Sequence, residues 1–175
     1  MIINEVLGIQ KIKNPNIKIT TRQAVRAIVI KDNKILMVHT NKGDYKFPGG
    51  GIKKAESHEE ALRREVREET GYIVNHMDKE AGTIVQRNPN QFDSNGIFQM
   101  TSYYYFCDVK PNTTKQHLDK YEQEQEFSPV WMDIDEVIAQ NEALLTQRNI
   151  HLNPWVYRET LALRSIKAAG VITGE

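Results

Sequence analysis

Residues 24–30, AVRAIVI, form a nearly continuous apolar run, and residues 35–39, ILMVH, form another. Between them stands Lys31-Asp32-Asn33-Lys34, polar punctuation of the kind that joins two strands in a hairpin. Both runs read as buried strands. A short strand is expected at 45–47 and another near 82–87. A loop rich in Asn, Pro, Asp and Gly follows at 88–96, then a strand at 98–109 carrying an aromatic cluster, and a last strand at 127–132. Residues 57–70 contain no proline or glycine and are dominated by Ala, Leu, Arg and Glu, so a helix is expected there. Ser57 with Glu60 three residues on makes a capping-box pair that sets its start, and Gly71 supplies its stop. Two more helices are expected at 135–145 and at about 154–169, the latter with Asn153 as cap, Pro154 in the first turn and Gly170 as stop. This order suits a mixed sheet flanked by helices on both faces.

Composition narrows the class. With 175 residues and 39% hydrophobic content, one domain with a substantial core is expected over 1–175. No apolar run approaches the roughly 18 residues of a transmembrane helix, so none is expected. The N-terminus, MIINEVLGIQKIKN, lacks the basic head and apolar stretch of a secretory signal. Cys107 is the sole cysteine, which excludes an internal disulfide and a cysteine-based zinc cluster and fits a cytoplasmic protein. Within TSYYYFCDV it reads as a buried core thiol.

Net charge is zero, but residues 1–55 carry eleven Lys or Arg against three acids. That asymmetry reads either as solvated lysines on edges and loops or as a patch that attracts a polyanionic substrate. With no net positive charge and no basic run interleaved with aromatics, long nucleic acid is not expected as the main partner.

The candidate chemistry lies in residues 50–72, GGIKKAESHEEALRREVREETGY. On the expected helix Glu65, Glu68 and Glu69 stand at i, i+3 and i+4, so three carboxylates share one face. Ala61, Leu62 and Val66 can pack against a core. Clustered carboxylates repel one another unless a cation neutralises them. A hard divalent ion such as Mg²⁺ or Mn²⁺ suits oxygen ligands and substrate phosphates. Such an ion polarises a phosphoryl oxygen and lowers the pKa of a bound water, the elements that phosphoanhydride hydrolysis needs. The glycines of Phe47-Pro48-Gly49-Gly50-Gly51 leave backbone carbonyls open to a cation and N–H groups open to an anion. Glu56 and Arg64 read as a pair holding this loop against the helix. Repeated Glu and Arg also suit a solvated surface laced with i,i+4 pairs. Seven fixed identities, however, arise by chance on the order of 10⁻⁹ times per start position at background residue frequencies.

The pattern Gly50-x5-Glu56-x7-Arg64-Glu65-Val66-x-Glu68-Glu69-x-Gly71 resembles the signature box of the Nudix hydrolases, which cleave a nucleoside diphosphate linked to another group. The resemblance implies a Nudix-type α/β/α sandwich with a mixed β-sheet, a core at about 22–145, and cleavage of a phosphoanhydride bond with water as nucleophile. It further implies that the Gly50 carbonyl and the carboxylates of Glu65 and Glu69 hold Mg²⁺ or Mn²⁺, that Glu68 is a ligand or shares the role of base, and that Glu56 and Arg64 form the structural ion pair. Tyr72 departs from the pattern, which prefers an aliphatic residue there. Many members place an extra glutamate in a loop before a late strand, which nominates Glu124 and then Glu126 in the acidic stretch 121–126, with an exposed acidic loop as the alternative for each. His39 and Arg87 are candidates to face substrate, with a structural role as the alternative for each, and Phe92, Tyr103 and Tyr105 could stack on a base, with core packing as the default reading for aromatics in a strand. The expected partner is a nucleotide-like small molecule, with no membrane and with a homodimer open. The alternative reading is a Nudix module that senses a nucleotide without hydrolysing it.

Overall fold

A computed structural model describes residues 1–93, 95–147 and 151–172. Among them the chain runs β1 (Ile3–Gly8), β2 (Lys18–Ile28), β3 (Ile30–Lys31), β4 (Lys34–His39), β5 (Tyr45–Lys46) and α1 (His58–Thr70). It continues through β6 (Tyr72–Pro89), β7 (Gly96–Thr113), α2 (Lys120–Glu124), β8 (Ser128–Met132), α3 (Ile134–Thr146) and α4 (Val156–Ala168). One 4-stranded sheet has the order β1-β6-β7-β2. It is mixed, because β1 is parallel to β6 and β2 to β7 while β6 and β7 form an antiparallel hairpin. The second sheet is antiparallel around β4, with β3 and β5 on one side and β8 on the other.

The continuous apolar runs have a physical reason. Successive side chains of a strand point to opposite faces, so a strand covered on both faces has no solvent side to mark with polar residues. Val25, Ala27 and Val29 pack with Ala61, Leu62 and Val66 of α1. Ile28 faces the other way, onto Ile134 and Val137 of α3 and Ala162, Leu163 and Ile166 of α4. Leu36 of β4 belongs to the α1 side and Ile35 and Met37 to the α3–α4 side. The result is the mixed-sheet α/β/α layering expected from the sequence. The turn between β3 and β4 has Asp32 and Asn33 at positive φ (49° and 58°), the backbone that a tight two-residue hairpin needs.

Three features depart from the sequence reading, and the N-terminal segment, whose role the sequence left open, extends the sheet as β1, with Ile3 fully buried. This depends on Gly82, at φ 142°, where a Cβ would lie 1.7 Å from the Ile3 carbonyl oxygen. Strand β6 begins at Tyr72 rather than near 82, because its first half is polar and its pairing with β7 shifts register repeatedly. The acidic stretch expected as a loop contains α2, opened by a capping box between Asp119 and Glu122. Asn153 does not cap α4: the helix starts after Trp155 without a side-chain cap bond. The Asn153 amide instead donates to Asp44 and Gln125 and accepts from Lys42. Among the described residues no helix is long and apolar enough to cross a membrane.

Candidate functional site

The site is built on α1. Ser57 accepts from Glu60 N–H while the Glu60 carboxylate accepts from Ser57 N–H, so the helix start is locked, and Gly71 ends it in the left-handed conformation. The buried stripe of α1 is Ala61, Leu62, Glu65, Val66, Glu69 and Thr70. Two acids thus occupy the inward face, where a solvated helix would carry none, while Glu68, at 37% side-chain exposure, sits on its flank. All three lie toward the C-terminal end of the helix, where the macrodipole disfavours negative charge. Local structure therefore places these carboxylates where positive charge nearby is favourable.

The glycine loop is fastened to the free edge of β2. Val25 N–H donates to Gly50 O (3.0 Å), Ala27 N–H to Pro48 O (2.8 Å) and Ile52 N–H to Gln23 O (3.0 Å). Gly49 has φ 139°, and a Cβ there would meet the Val25 carbonyl oxygen at 2.1 Å. At Gly50 a Cβ would lie 2.5 Å from Glu65 Oε2, so the missing side chain is the space that the Glu65 carboxylate uses. The Gly50 carbonyl, expected from the sequence to face a metal, accepts from Val25 and keeps one lone pair.

Around that loop the charges interlock. Glu69 Oε1 accepts from Lys46 Nζ at 2.5 Å, and its Oε2 accepts from Gly49 N–H at 2.9 Å. Burial pushes the Glu69 carboxyl above the ordinary carboxylate range, opposed by Lys46 and by the Gly49 N–H. Glu65 Oε1 accepts from Arg64 Nη1 at 2.6 Å. The same guanidinium grips both Glu56 oxygens, at 2.6 and 2.8 Å, and reaches the Gly51 carbonyl at 3.1 Å. Its hydrogen bonds hold the Glu56 carboxyl down at about 2.

Carboxylate oxygens of Glu65, Glu69 and Glu122 lie within 4.8 Å of one another, the candidate metal-holding group among the described residues. Glu122 comes from α2, whose capping box aims it: its Oε2 accepts from Asp119 N–H at 2.9 Å. Burial raises its carboxyl to about 7, the Glu69 charge adds to the rise, and the Asp119 N–H opposes it. An oxygen-only donor set drawn from two helices fits a hard divalent cation.

The other nominated residues scatter. Glu124 is exposed and lies 3.9 Å from Lys120, and Glu126 is exposed at a positive φ of 54°. The His39 ring packs on Tyr45 (4.8 Å between centroids), and Arg87 Nε donates to Gln99. Tyr105 is buried on the α1 side with its hydroxyl on Glu80 and His58, and Tyr103 stacks on His58 at 4.4 Å. Phe92 is 98% exposed at a loop tip. The Cys107 thiol is pushed up to about 12 by burial, which leaves it inert as a nucleophile. Glu122 is the residue that sequence reasoning passed over. Its signal was present: Asp119-x-x-Glu122 has the same capping spacing as Ser57-x-x-Glu60.

A model of the NUDIX domain matches residues 20–156 of the chain. Over 54 residues the chain is 46% identical to an ADP-ribose pyrophosphatase of Methanocaldococcus jannaschii, a stretch covering 29% of this chain and 32% of that protein. Among solved structures, a NUDIX hydrolase from Nitrosomonas europaea superposes with a TM-score of 0.60 at 20% identity, over 89% of this chain and 93% of that one. An ADP-ribose pyrophosphatase from Streptococcus suis 89-1591 does so with a TM-score of 0.53 at 18% identity, over 89% and 97%. At such identities the superpositions speak for the fold.

Proposed function

The chain belongs to the NUDIX domain family, and from that premise we propose that it hydrolyses a phosphoanhydride bond in a nucleoside diphosphate derivative, with water as nucleophile and Mg²⁺ or Mn²⁺ as cofactor. The observation that carries the proposal is the convergence of Glu65, Glu69 and Glu122 within 4.8 Å, two of them on the buried face of α1. Those three carboxylates would hold the cation, with the Gly50 carbonyl beside them as a further oxygen donor. When bound, it supplies neutralising charge, a polarised phosphoryl oxygen and a more acidic water.

The chain's own groups do the rest. Glu68 is partly exposed and loosely tethered to Arg64 at 3.2 Å, so it is free to take the proton of the attacking water. As the new O–P bond forms and the anhydride P–O bond breaks, negative charge leaves on the departing phosphate. Lys46, pinned between Glu69 and the Gly49 carbonyl, keeps Glu69 oriented throughout. The same proposal treats 1–175 as one domain in the cytoplasm. The packing of α4 against β1 and β5 and the single buried cysteine support it.

The relatives named as ADP-ribose pyrophosphatases put ADP-ribose first on the substrate panel, ahead of nucleoside triphosphates, dinucleoside polyphosphates and nucleotide sugars. Phosphate-product release is measured with and without Mg²⁺ or Mn²⁺, beside Glu68→Gln and Glu69→Gln. Each substitution is expected to lower kcat by about 10²- to 10⁴-fold with the circular dichroism spectrum unchanged. Normal turnover in both variants sinks the assignment. Tight cation-dependent nucleotide binding with no turnover of any substrate moves it to a sensing module.

A further inference from the structure

The C-terminal helix reaches the glycine loop through a buried charge. Glu159 of α4 is 0% exposed and shares the inward face of the helix with Ala162 and Leu163. Packing alone calls for an apolar side chain at such a position, because a carboxylate taken wholly out of water persists only where other groups neutralise it. Here its Oε1 accepts from Arg158 Nε and Nη2, at 2.8 and 2.5 Å. Its Oε2 accepts from the backbone N–H of Phe47 at 2.9 Å. Arg158 is itself buried and anchored to Gln86 at 3.0 Å. A second buried guanidinium, Arg26, feels the Glu159 charge and donates through Nη1 to the Gly49 carbonyl.

The tripeptide 47–49 is thereby held at both ends from outside the sequence motif. Glu159 takes the N–H of Phe47, and Arg26 and Lys46 take the carbonyl of Gly49. In the middle, Pro48 O accepts from Ala27 N–H at 2.8 Å. The N–H of Gly49 then donates to Glu69 Oε2 at 2.9 Å. A shift of Phe47 is transmitted to Glu69 by two peptide units, with no flexible side chain between.

We infer that Glu159 is a positioning residue for the acidic site: by accepting the Phe47 N–H it sets the placement of residues 47–49 and, through the Gly49 N–H, the orientation of the Glu69 carboxylate toward Glu65 and Glu122. The consequence for catalysis rests on the cation-dependent hydrolase reading, whereas the consequence for loop geometry does not.

Two double variants isolate the contact at equal net charge. Arg158→Met with Glu159→Gln keeps an acceptor for Phe47 N–H, and Arg158→Met with Glu159→Leu removes it. Affinity for Mn²⁺ alone is read by electron paramagnetic resonance, amide exchange of Phe47 and Gly49 in the metal-free protein, and kcat and KM on the best substrate. The glutamine double is expected to stay within about threefold of the wild type in Mn²⁺ affinity, and the leucine double to lose about tenfold or more, the scale of outer-shell support for a metal ligand. Its Gly49 amide should exchange faster while the amides of α4 do not, and kcat should fall with KM nearly unchanged. Equal behaviour of the two doubles on all three readouts overturns the inference. If the leucine double does not fold, Glu159→Asp, which keeps the charge and withdraws it by one methylene, is expected to show the same split, and wild-type values in it overturn the inference. A wild type that turns over nothing defeats the hydrolase reading alone, because Gly49 exchange and Mn²⁺ binding still report on the loop.

Discussion

Lys46 Nζ stands 2.5 Å from Glu69 Oε1, with the two side chains only 5% and 3% exposed. The central carboxylate of the acidic cluster therefore already has a cation of its own, seated on the Phe127 ring at 4.9 Å. A fixed ammonium cannot serve all three carboxylates. It holds Glu69 in place, Arg64 pairs with Glu65 at 2.6 Å, and in the proposed site a divalent ion would supply the remaining charge that Glu122 adds from α2.

This division predicts how Lys46→Met behaves. Removing one partner of a buried ion pair costs about 3–5 kcal/mol, because the other charge is left uncompensated. In chelator the variant should lose stability on that scale. With saturating Mg²⁺ or Mn²⁺ most of the loss should return, since a ligand that binds only the folded state stabilises it by mass action. Thermal denaturation with and without chelator measures it, and an equal loss in both conditions contradicts the division of roles.

Glu122, and not Glu124 or Glu126, should govern cation affinity from the acidic segment. Glu122→Gln is expected to weaken Mn²⁺ binding about tenfold or more, roughly 1.4 kcal/mol, while Glu124→Gln and Glu126→Gln leave it unchanged. The pH dependence follows from its raised carboxyl at about 7, caused first by burial. The folded protein binds more protons than the unfolded chain between the ordinary carboxylate range near 4.5 and about 7, so metal-free stability should fall as pH rises through that window. Cation affinity should rise over the same window as the proton is displaced. Urea denaturation across pH 4.5–7 should show this slope in the wild type and a shallower one in Glu122→Gln; matching slopes would remove Glu122 from the cluster.

Glu56 obeys the opposite sign. Arg64 holds its carboxyl at about 2, so the stabilisation is fully present above about 4.5 and is lost as pH falls toward 2. Glu56→Gln should cost about 1.5–3 kcal/mol at neutral pH, the range for charge-assisted hydrogen bonds. The gap from wild type should close on acidification. Chemical denaturation at several pH values tests this, and a gap independent of pH would mean that the Glu56 charge contributes nothing.

Local elements were legible in the chain because local physics decides them. The capping box at Ser57 and Glu60, the stop at Gly71 and the acids at i, i+3 and i+4 are short-range patterns, and α1 runs from His58 to Thr70 as they require. The two-sided burial of β2 and β4 could be read from their unbroken apolar runs. Strand β1 was not legible, since its pairing with β6 joins segments about eighty residues apart and depends on the bare backbone of Gly82. Asn153 misled for a similar reason: its distant partners Asp44 and Gln125 outbid the helix end for its amide.

By itself the sequence determined which residues could carry oxygen ligands, on which helix, and behind which glycines, because spacing along a helix converts directly into direction. Only the tertiary structure decided which of them converge. It buried Glu65 and Glu69 while leaving Glu68 on the flank, brought Glu122 from α2 in place of Glu124 or Glu126, and set Lys46 and Glu159 behind the glycine loop. Those choices depend on the relative placement of α1, α2, α4 and β5, which is set by packing across two cores and not by any local stretch of chain.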